Sequence, residues 1–268
     1  MPDLNPLNPW RKLLALPNES RAKTLAVAFL VSAVCTVIVS AAAVLLDPVQ
    51  QANRAAEQAA RMEAMLAAMP DMAALIERTG GDDLETLIVD LRTGGLARDI
   101  EPGTLDAEPA FSDPVSATPL EPDRDLAGLG ERPDLVPIHV LRENGRLRLV
   151  ILPVVGQGYQ STLRANLALE GDLRTVAGFS IIEQGETPGL GARIDDPAWQ
   201  ARWQGKRVAG ADGGVRLRVV RGGASNEFEV EGITGATRTG NGINNAIQFW
   251  LGPDGYGPVL ERLAEDGL

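Results

Sequence analysis

Three threonines and four glycines fall within twelve residues, EGITGATRTGNG, from Glu231 to Gly242. Gly235 and Gly240 free the backbone on either side of Thr237. Thr239 or Asn241 can cap a following helix in which Ile243, Ile247, Trp250 and Leu251 share one face. The N–H groups that open such a helix favour a nearby anion, so the turn can present the Thr237 hydroxyl beside a phosphate-friendly site. A plain capped turn has the same composition, and both readings stay open on the residues alone.

Other chemistries lose ground on specific residues. The stretch lacks the lysine of a G-x-x-x-x-G-K-[ST] loop, and it is no G-x-G-x-x-G fingerprint opening a parallel βαβ unit. A hydrolytic threonine would need a base, and His139, the single histidine, is remote in sequence. With no Cys or His partners in its strand-like segment, His139 reads as structural. A second sharp loop lies in EQGETPGLGARI, where Glu186, Thr187, Pro188, Gly189, Leu190 and Gly191 follow a strand; by composition it is a tight turn.

The elements that must hold these two loops are strands. IHVLRE, RLRLVILP, STLRANLALE and TVAGFSIIEQ follow one another from residue 138 to 184, separated by NG, GQG and GD turn signals. After them come a short helix near 196–203, two strand candidates around 215–220 and 227–230, and the amphipathic helix of the opening stretch. Strands followed by late helices predict an α+β domain with an antiparallel sheet over 135–268. Ahead of it, 47–134 reads as a helical and irregular connecting region. Residues 50–69 have helical spacing, 82–90 read as a helix-like or mixed segment ending in the more strand-like TLIVDLRTG, and the acidic stretch 99–134 carries Pro102, Pro109, Pro114, Pro119, Pro122 and Pro133.

Residues 24–46, TLAVAFLVSAVCTVIVSAAAVLL, contain no charge. At about 1.5 Å per residue they cross a hydrocarbon core of about 30 Å, whereas the apolar region of a cleaved signal runs only about 7–15 residues. The segment is expected to be an uncleaved transmembrane helix. Arg11, Lys12, Arg21 and Lys23 precede it and only Arg54 and Arg61 follow closely, which predicts a cytoplasmic N-terminus over 1–23 and an exported domain, periplasmic in a Gram-negative cell. Ala28, Ser32, Thr36 and Ser40 form a small-residue stripe suited to another transmembrane helix, or are simply the small residues common in such spans. The segment holds no acid or base and offers no ion path by itself.

A net charge of −11 without a basic cluster argues against nucleic acid as a partner. The single cysteine, Cys35, lies in the apolar span, which excludes an intramolecular disulfide and a multi-cysteine iron–sulfur site.

TGATRTGNGINNAIQFWLGPDGYGPVLERL resembles the C-terminal signature of the NqrC family, the C subunit of the sodium-translocating NADH:quinone reductase. ETPGLG is similar to that family's flavin-contacting loop, and SRAKTLAVAFLVSAVCTVIVSAAAVLLDPVQQANR to its N-terminal anchor. The resemblance implies FMN bound covalently, through its phosphate, to Thr237, with Thr234, Gly235 and Ala236 completing the motif. It implies further that Glu186, Thr187, Leu190 and Gly191 lie near the isoalloxazine ring. The chain departs from the family pattern at Glu231, where an aspartate is usual, and at Arg238, where an aliphatic residue is common. The implied function is an electron-transfer subunit of a redox-driven, sodium-transporting complex of the inner membrane, not catalytic alone. Its implied partners are the other subunits, membrane lipid, and a flavin transferase that transfers FMN from FAD. The G subunit of an Rnf-type ferredoxin:NAD oxidoreductase shares anchor and motif, though FWLGPDGYGP favours the quinone reductase. A non-redox anchored binding protein is the alternative from a different class.

Overall fold

The computed structural model describes residues 17, 20–67, 84–97, 100, 105, 110–111, 114–211 and 213–266. Arg11, Lys12, Pro102, Pro109 and nearly all of the segment read as a cytoplasmic N-terminus lie outside them. The chain divides into two compact units, 1–59 and 60–268.

Helix α1 (Arg21–Ala67) contains the apolar stretch Lys23–Asp47, with a mean hydropathy of 2.6 and none of its most apolar window buried within the protein. It is long and apolar enough to cross a membrane. Phe29 and Leu45 are 76% and 74% exposed, a costly arrangement in water and a favourable one in lipid. Within the small-residue stripe, the Thr36 hydroxyl donates to the Ser32 carbonyl at 2.8 Å, so that polar group is satisfied inside its own helix.

Six strands form the main sheet: β1 (Leu84–Asp90), β2 (Gly95–Leu96), β5 (Leu135–Glu143), β6 (Arg146–Gln157), β7 (Thr162–Glu170) and β8 (Val176–Glu183). Their order is β2-β1-β5-β6-β7-β8, antiparallel throughout. Two short strands, β3 (Ala117–Pro119) and β4 (Glu131–Pro133), pair separately. The NG signal is a tight hairpin: Asn144 and Gly145 have φ of 53° and 75°, as a two-residue turn matching strand twist requires. The sheet begins earlier than residue 135. β1 comes from the stretch read as a connecting region and pairs with β5 from Leu84↔Leu141 to Asp90↔Leu135.

Along β6, side chains alternate between two buried clusters. Val150, Leu152 and Val154 join the large core, while Leu149 and Ile151 join a smaller one with Leu141 and Ala168. Both faces are covered, which explains a strand sequence that is almost continuously apolar. The large core is closed by helix α3 (Thr237–Leu251), whose Ile243, Ile247, Trp250 and Leu251 are all buried as the periodicity predicted. Each such side chain contributes about 1.5–3 kcal/mol relative to exposure. Close approach needs glycine: a Cβ on Gly156 of β6 would lie 2.7 Å from the Cβ of Ala246.

The FWLGPDGYGP segment fastens this helix and α4 (Gly257–Asp266) to β6. Trp250 Nε1 donates to the Val155 carbonyl at 2.6 Å, and the Tyr256 hydroxyl to that of Pro153 at 2.7 Å. Beyond β8, the predicted helix near 196–203 is a 3-10 turn (Gly191–Asp195), a short helix α2 (Pro197–Gln200) and a second 3-10 turn (Ala201–Trp203). Trp203 stacks on Phe179 of β8 at 4.1 Å between ring centroids. The two late strand candidates are shorter than expected, β9 (Arg218–Val220) and β10 (Glu229–Glu231), and form a parallel pair apart from the main sheet.

Candidate functional site

Thr237 is the first residue of α3, with Ala236 at the N-cap and no side-chain cap hydrogen bond. This corrects the expectation that Thr239 or Asn241 caps the helix, since both lie inside it. The turn is tightened by the Ala236 amide, which donates to the Ile233 carbonyl at 3.0 Å. Gly235 takes φ +82°, a conformation that a residue with a Cβ rarely adopts. With alanine at the cap position, no local side chain satisfies the amides of the first helical turn, and they carry the positive end of the helix dipole.

A cleft of about 260 Å³ opens at this turn. It is lined by residues 219–222 within and after β9, by 231–237, and by Gly240 and Asn241 of α3. One wall is locked to the helix: Asn244 Oδ1 accepts from the Val219 amide at 2.6 Å and its Nδ2 donates to the Val219 carbonyl at 2.9 Å. β10, which leads into the turn, is held from behind. Glu229 accepts from Arg218 at 2.7 Å and from Ser225 at 2.6 Å, and these bonds, the arginine's first, lower its carboxyl to about 2. Glu231, at the departure from the family pattern, pairs with Arg202 at 2.8 Å, and its carbonyl accepts from Trp199 Nε1 at 2.9 Å. A larger groove of about 620 Å³ between Arg218 and Gln248 holds none of the predicted site residues.

The loop at 186–191 packs against the threonine turn. A Cβ on Gly235 would lie 3.0 Å from Leu190 Cδ2, and one on Gly191 would lie 2.6 Å from Thr239 Oγ1. Leu190 remains 46% exposed. The Thr187 carbonyl accepts from the amides of Leu190 and Ala192, both at 3.1 Å, which closes the loop on itself. Thr234, Gly235, Ala236 and Thr237 thus line the cleft, with Leu190 and Gly191 beside them.

Glu186 differs from its neighbours. Its side chain is only 4% exposed, and its carboxylate faces inward onto residues 159–161 and Thr239. Burial pushes this carboxyl up, but hydrogen bonds from Thr239, Gln160 and Ser161 outweigh it and leave the group below the usual glutamate range. Sequence reasoning missed Thr239, which it took for a cap, and also Ser161 and Asn244; only their proximity in the fold reveals them. It also missed that the Arg238 guanidinium lies 5.0 Å from the Tyr159 ring centroid. His139 is structural: its Nδ1 is 2.9 Å from the Thr86 hydroxyl across the β1–β5 pair.

Comparison with known proteins gives this arrangement a class. A family model described as an FMN-binding domain matches residues 158–252, which begin at the turn facing Glu186 and run through the cleft to the end of α3. The C subunit of the Na(+)-translocating NADH-quinone reductase of Yersinia pestis is 35% identical over 256 residues, covering 94% of this chain and 96% of that protein. The corresponding C subunit of Pseudomonas aeruginosa is 36% identical over 252 residues, covering 91% and 97%. Among solved structures, that of Shewanella oneidensis NqrC superposes with a TM-score of 0.68 at 25% identity, covering 79% of this chain and all of the other. The C subunit from Parabacteroides distasonis shares the fold, with a TM-score of 0.55 at 22% identity over 78% of this chain and 94% of that one. The chain belongs to the NqrC family, the C subunits of the Na(+)-translocating NADH-quinone reductase.

Proposed function

We propose that this chain is a membrane-anchored flavoprotein that relays electrons within a Na(+)-translocating NADH:quinone reductase, carrying FMN as a phosphoester on Thr237. The observation that carries the reading is the position of Thr237. It is the first residue of a helix without a side-chain cap, it lines a cleft, and it lies within the matched FMN-binding segment. A phosphoester there keeps about one negative charge, which the first-turn amides of α3 are oriented to receive.

Attachment forms a bond from Thr237 Oγ to the phosphorus on the flavin side of FAD. The pyrophosphate bridge breaks, AMP leaves and the hydroxyl proton is released. A separate magnesium-dependent flavin transferase carries out this maturation. Thr234, Gly235 and Ala236 shape the turn, while Thr187, Leu190 and Gly191 form the loop beside the ring, the exposed Leu190 side chain offering it an apolar surface. When bound, the flavin supplies the redox chemistry; the protein supplies position and a fixed distance to donor and acceptor.

Helix α1 anchors the chain in the inner membrane with the N-terminus in the cytoplasm and the sheet domain in the periplasm, supported by the apolar stretch Lys23–Asp47 and the bias of basic residues before it. Sodium is carried by other subunits, because residues 24–46 hold no Asp, Glu, His, Lys or Arg. Peptide mass spectrometry on protein from cells that contain the transferase tests the assignment. An FMN-sized adduct on the Thr237 peptide, absent in Thr237→Ala, is the expected result. An unmodified wild-type peptide would overturn it.

A further inference from the structure

Three segments distant in sequence meet at one carboxylate. Glu186 Oε1 accepts from the amides of Tyr159 at 3.0 Å, Gln160 at 2.9 Å and Ser161 at 3.2 Å, and from the Ser161 hydroxyl at 3.3 Å. Its Oε2 accepts from the Thr239 hydroxyl at 2.5 Å, and Thr239 is itself 2% exposed. The Ser161 hydroxyl also accepts from the Gly185 amide at 2.7 Å, tying the β6–β7 turn to the loop that bears Glu186. The packing around it is close: a Cβ on Gly158 would lie 2.6 Å from Glu186 Oε1, and one on Gly191 would lie 2.9 Å from Glu186 Oε2.

We propose that Glu186 is a positioning residue for Thr237, acting through the Thr239 hydroxyl, and that its carboxylate is not a flavin ligand. The inference rests on the reading of Thr237 as the flavin attachment point. The N-cap of α3 is alanine, so no capping side chain orients the first turn. Thr239 stands two residues after Thr237, in that same turn. Its bond to Glu186 holds the turn from the buried side, leaving the Thr237 side free for the phosphoester. The clamp is made of directional hydrogen bonds, the shortest from Thr239 at 2.5 Å, which fix orientation as well as distance. A buried carboxylate with this many donors resists displacement, because moving it strands several polar groups at once.

The test uses the full-length chain produced with a flavin transferase, comparing wild type, Thr239→Val and Thr239→Ser. Valine keeps the shape and removes the donor; serine keeps the donor. Two quantities are read: the fraction of Thr237 peptide carrying FMN, and hydrogen–deuterium exchange of the amides at 159–161 and in the first turn of α3. Expected in Thr239→Val are exchange about tenfold faster in both segments and a flavinylated fraction lower by about the same factor, the weight of leaving one buried acceptor unpaired. Thr239→Ser restores both. A folded Thr239→Val protein with wild-type flavinylation overturns the proposal, whatever its exchange rates, because the clamp would then be structural only. A wild-type chain without any adduct overturns the attachment reading instead, and the positioning role with it; faster exchange in both segments would then leave only the clamp itself.

Discussion

Glu186 and Asp134 are both buried carboxylates beneath hydroxyl donors, 4% and 3% exposed, yet they are built differently. Asp134 accepts from Ser116 at 2.5 Å and Thr118 at 2.6 Å and also has two guanidinium groups near it, Arg92 at 3.8 Å and Arg132 at 3.7 Å. Glu186 has no ion pair among the described residues and relies on amides and hydroxyls. Coulombic attraction at nearly 4 Å tolerates small displacements, whereas hydrogen bonds weaken steeply when misaligned. Asp134 also joins two backbone segments: its amide donates to the Ser116 carbonyl and its carbonyl accepts from the Leu91 amide, tying the irregular stretch before β5 to the sheet. Arg132, beside it, keeps a buried Nε without a hydrogen-bond partner. The contrast separates a carboxylate that fastens from one that aims.

The largest effect that would break the contrast comes from truncating both. Glu186→Ala strands the donors of residues 159–161 and Thr239 and should cost about 1–3 kcal/mol for each donor left buried and unpaired, read by urea unfolding in detergent, with flavinylation of Thr237 lost. Asp134→Ala should cost about 2–4 kcal/mol, reduced by the freedom of Arg92 to reach solvent, with flavinylation of the folded protein unchanged. If Asp134→Ala also abolished the adduct, the two sites would not differ in kind.

Acid sharpens the same comparison. For Glu186 and for Asp134, burial raises the carboxyl pKa and hydrogen bonding outweighs it, in Asp134 with help from Arg92 and Arg132; the net direction is down in both. The unfolded chain therefore binds protons more readily than the folded one as pH falls below the ordinary values of 4.5 and 3.8. Stability from these groups is complete above those values and is lost as pH falls through the lowered ones. Thermal unfolding followed as pH falls below 4.5, and then below 3.8, should show the loss. Added salt should weaken the Asp134 share, seen as the difference from Asp134→Asn, and leave the Glu186 share almost unchanged.

Much of this was legible in the sequence where the signal is local. Four strands from 135 to 183 follow from alternating or buried apolar runs and from turn signals such as Asn144–Gly145, whose positive φ angles the residue types announce. The apolar face of α3 follows from spacing, and the threonine turn stands out by composition. What stayed hidden is non-local. β1 belongs to the sheet only because β5 lies beside it, about fifty residues later in the chain. Thr239 looked like a cap because its type suits one; its actual partner, Glu186, is 53 residues away. The close approach at Gly191 is likewise visible only once two loops meet.

His139 supplies the smallest test and the opposite kind of group, a part-buried base whose ring meets the neutral hydroxyl of Thr86. Burial lowers its pKa from 6.5, so the folded protein disfavours the charged ring that the unfolded chain readily forms. Stability is therefore lost as pH falls below 6.5, a window well above that of the carboxylates, with a slope of at most about 1.4 kcal/mol per pH unit for one proton. His139→Gln, which keeps a polar partner for Thr86, should flatten the unfolding free energy as pH falls below 6.5 and leave the acid loss below pH 4.5 in place. An unchanged slope would mean that the ring finds a stabilising partner when charged. The β1–β5 pairing would then be coupled to pH by something other than desolvation.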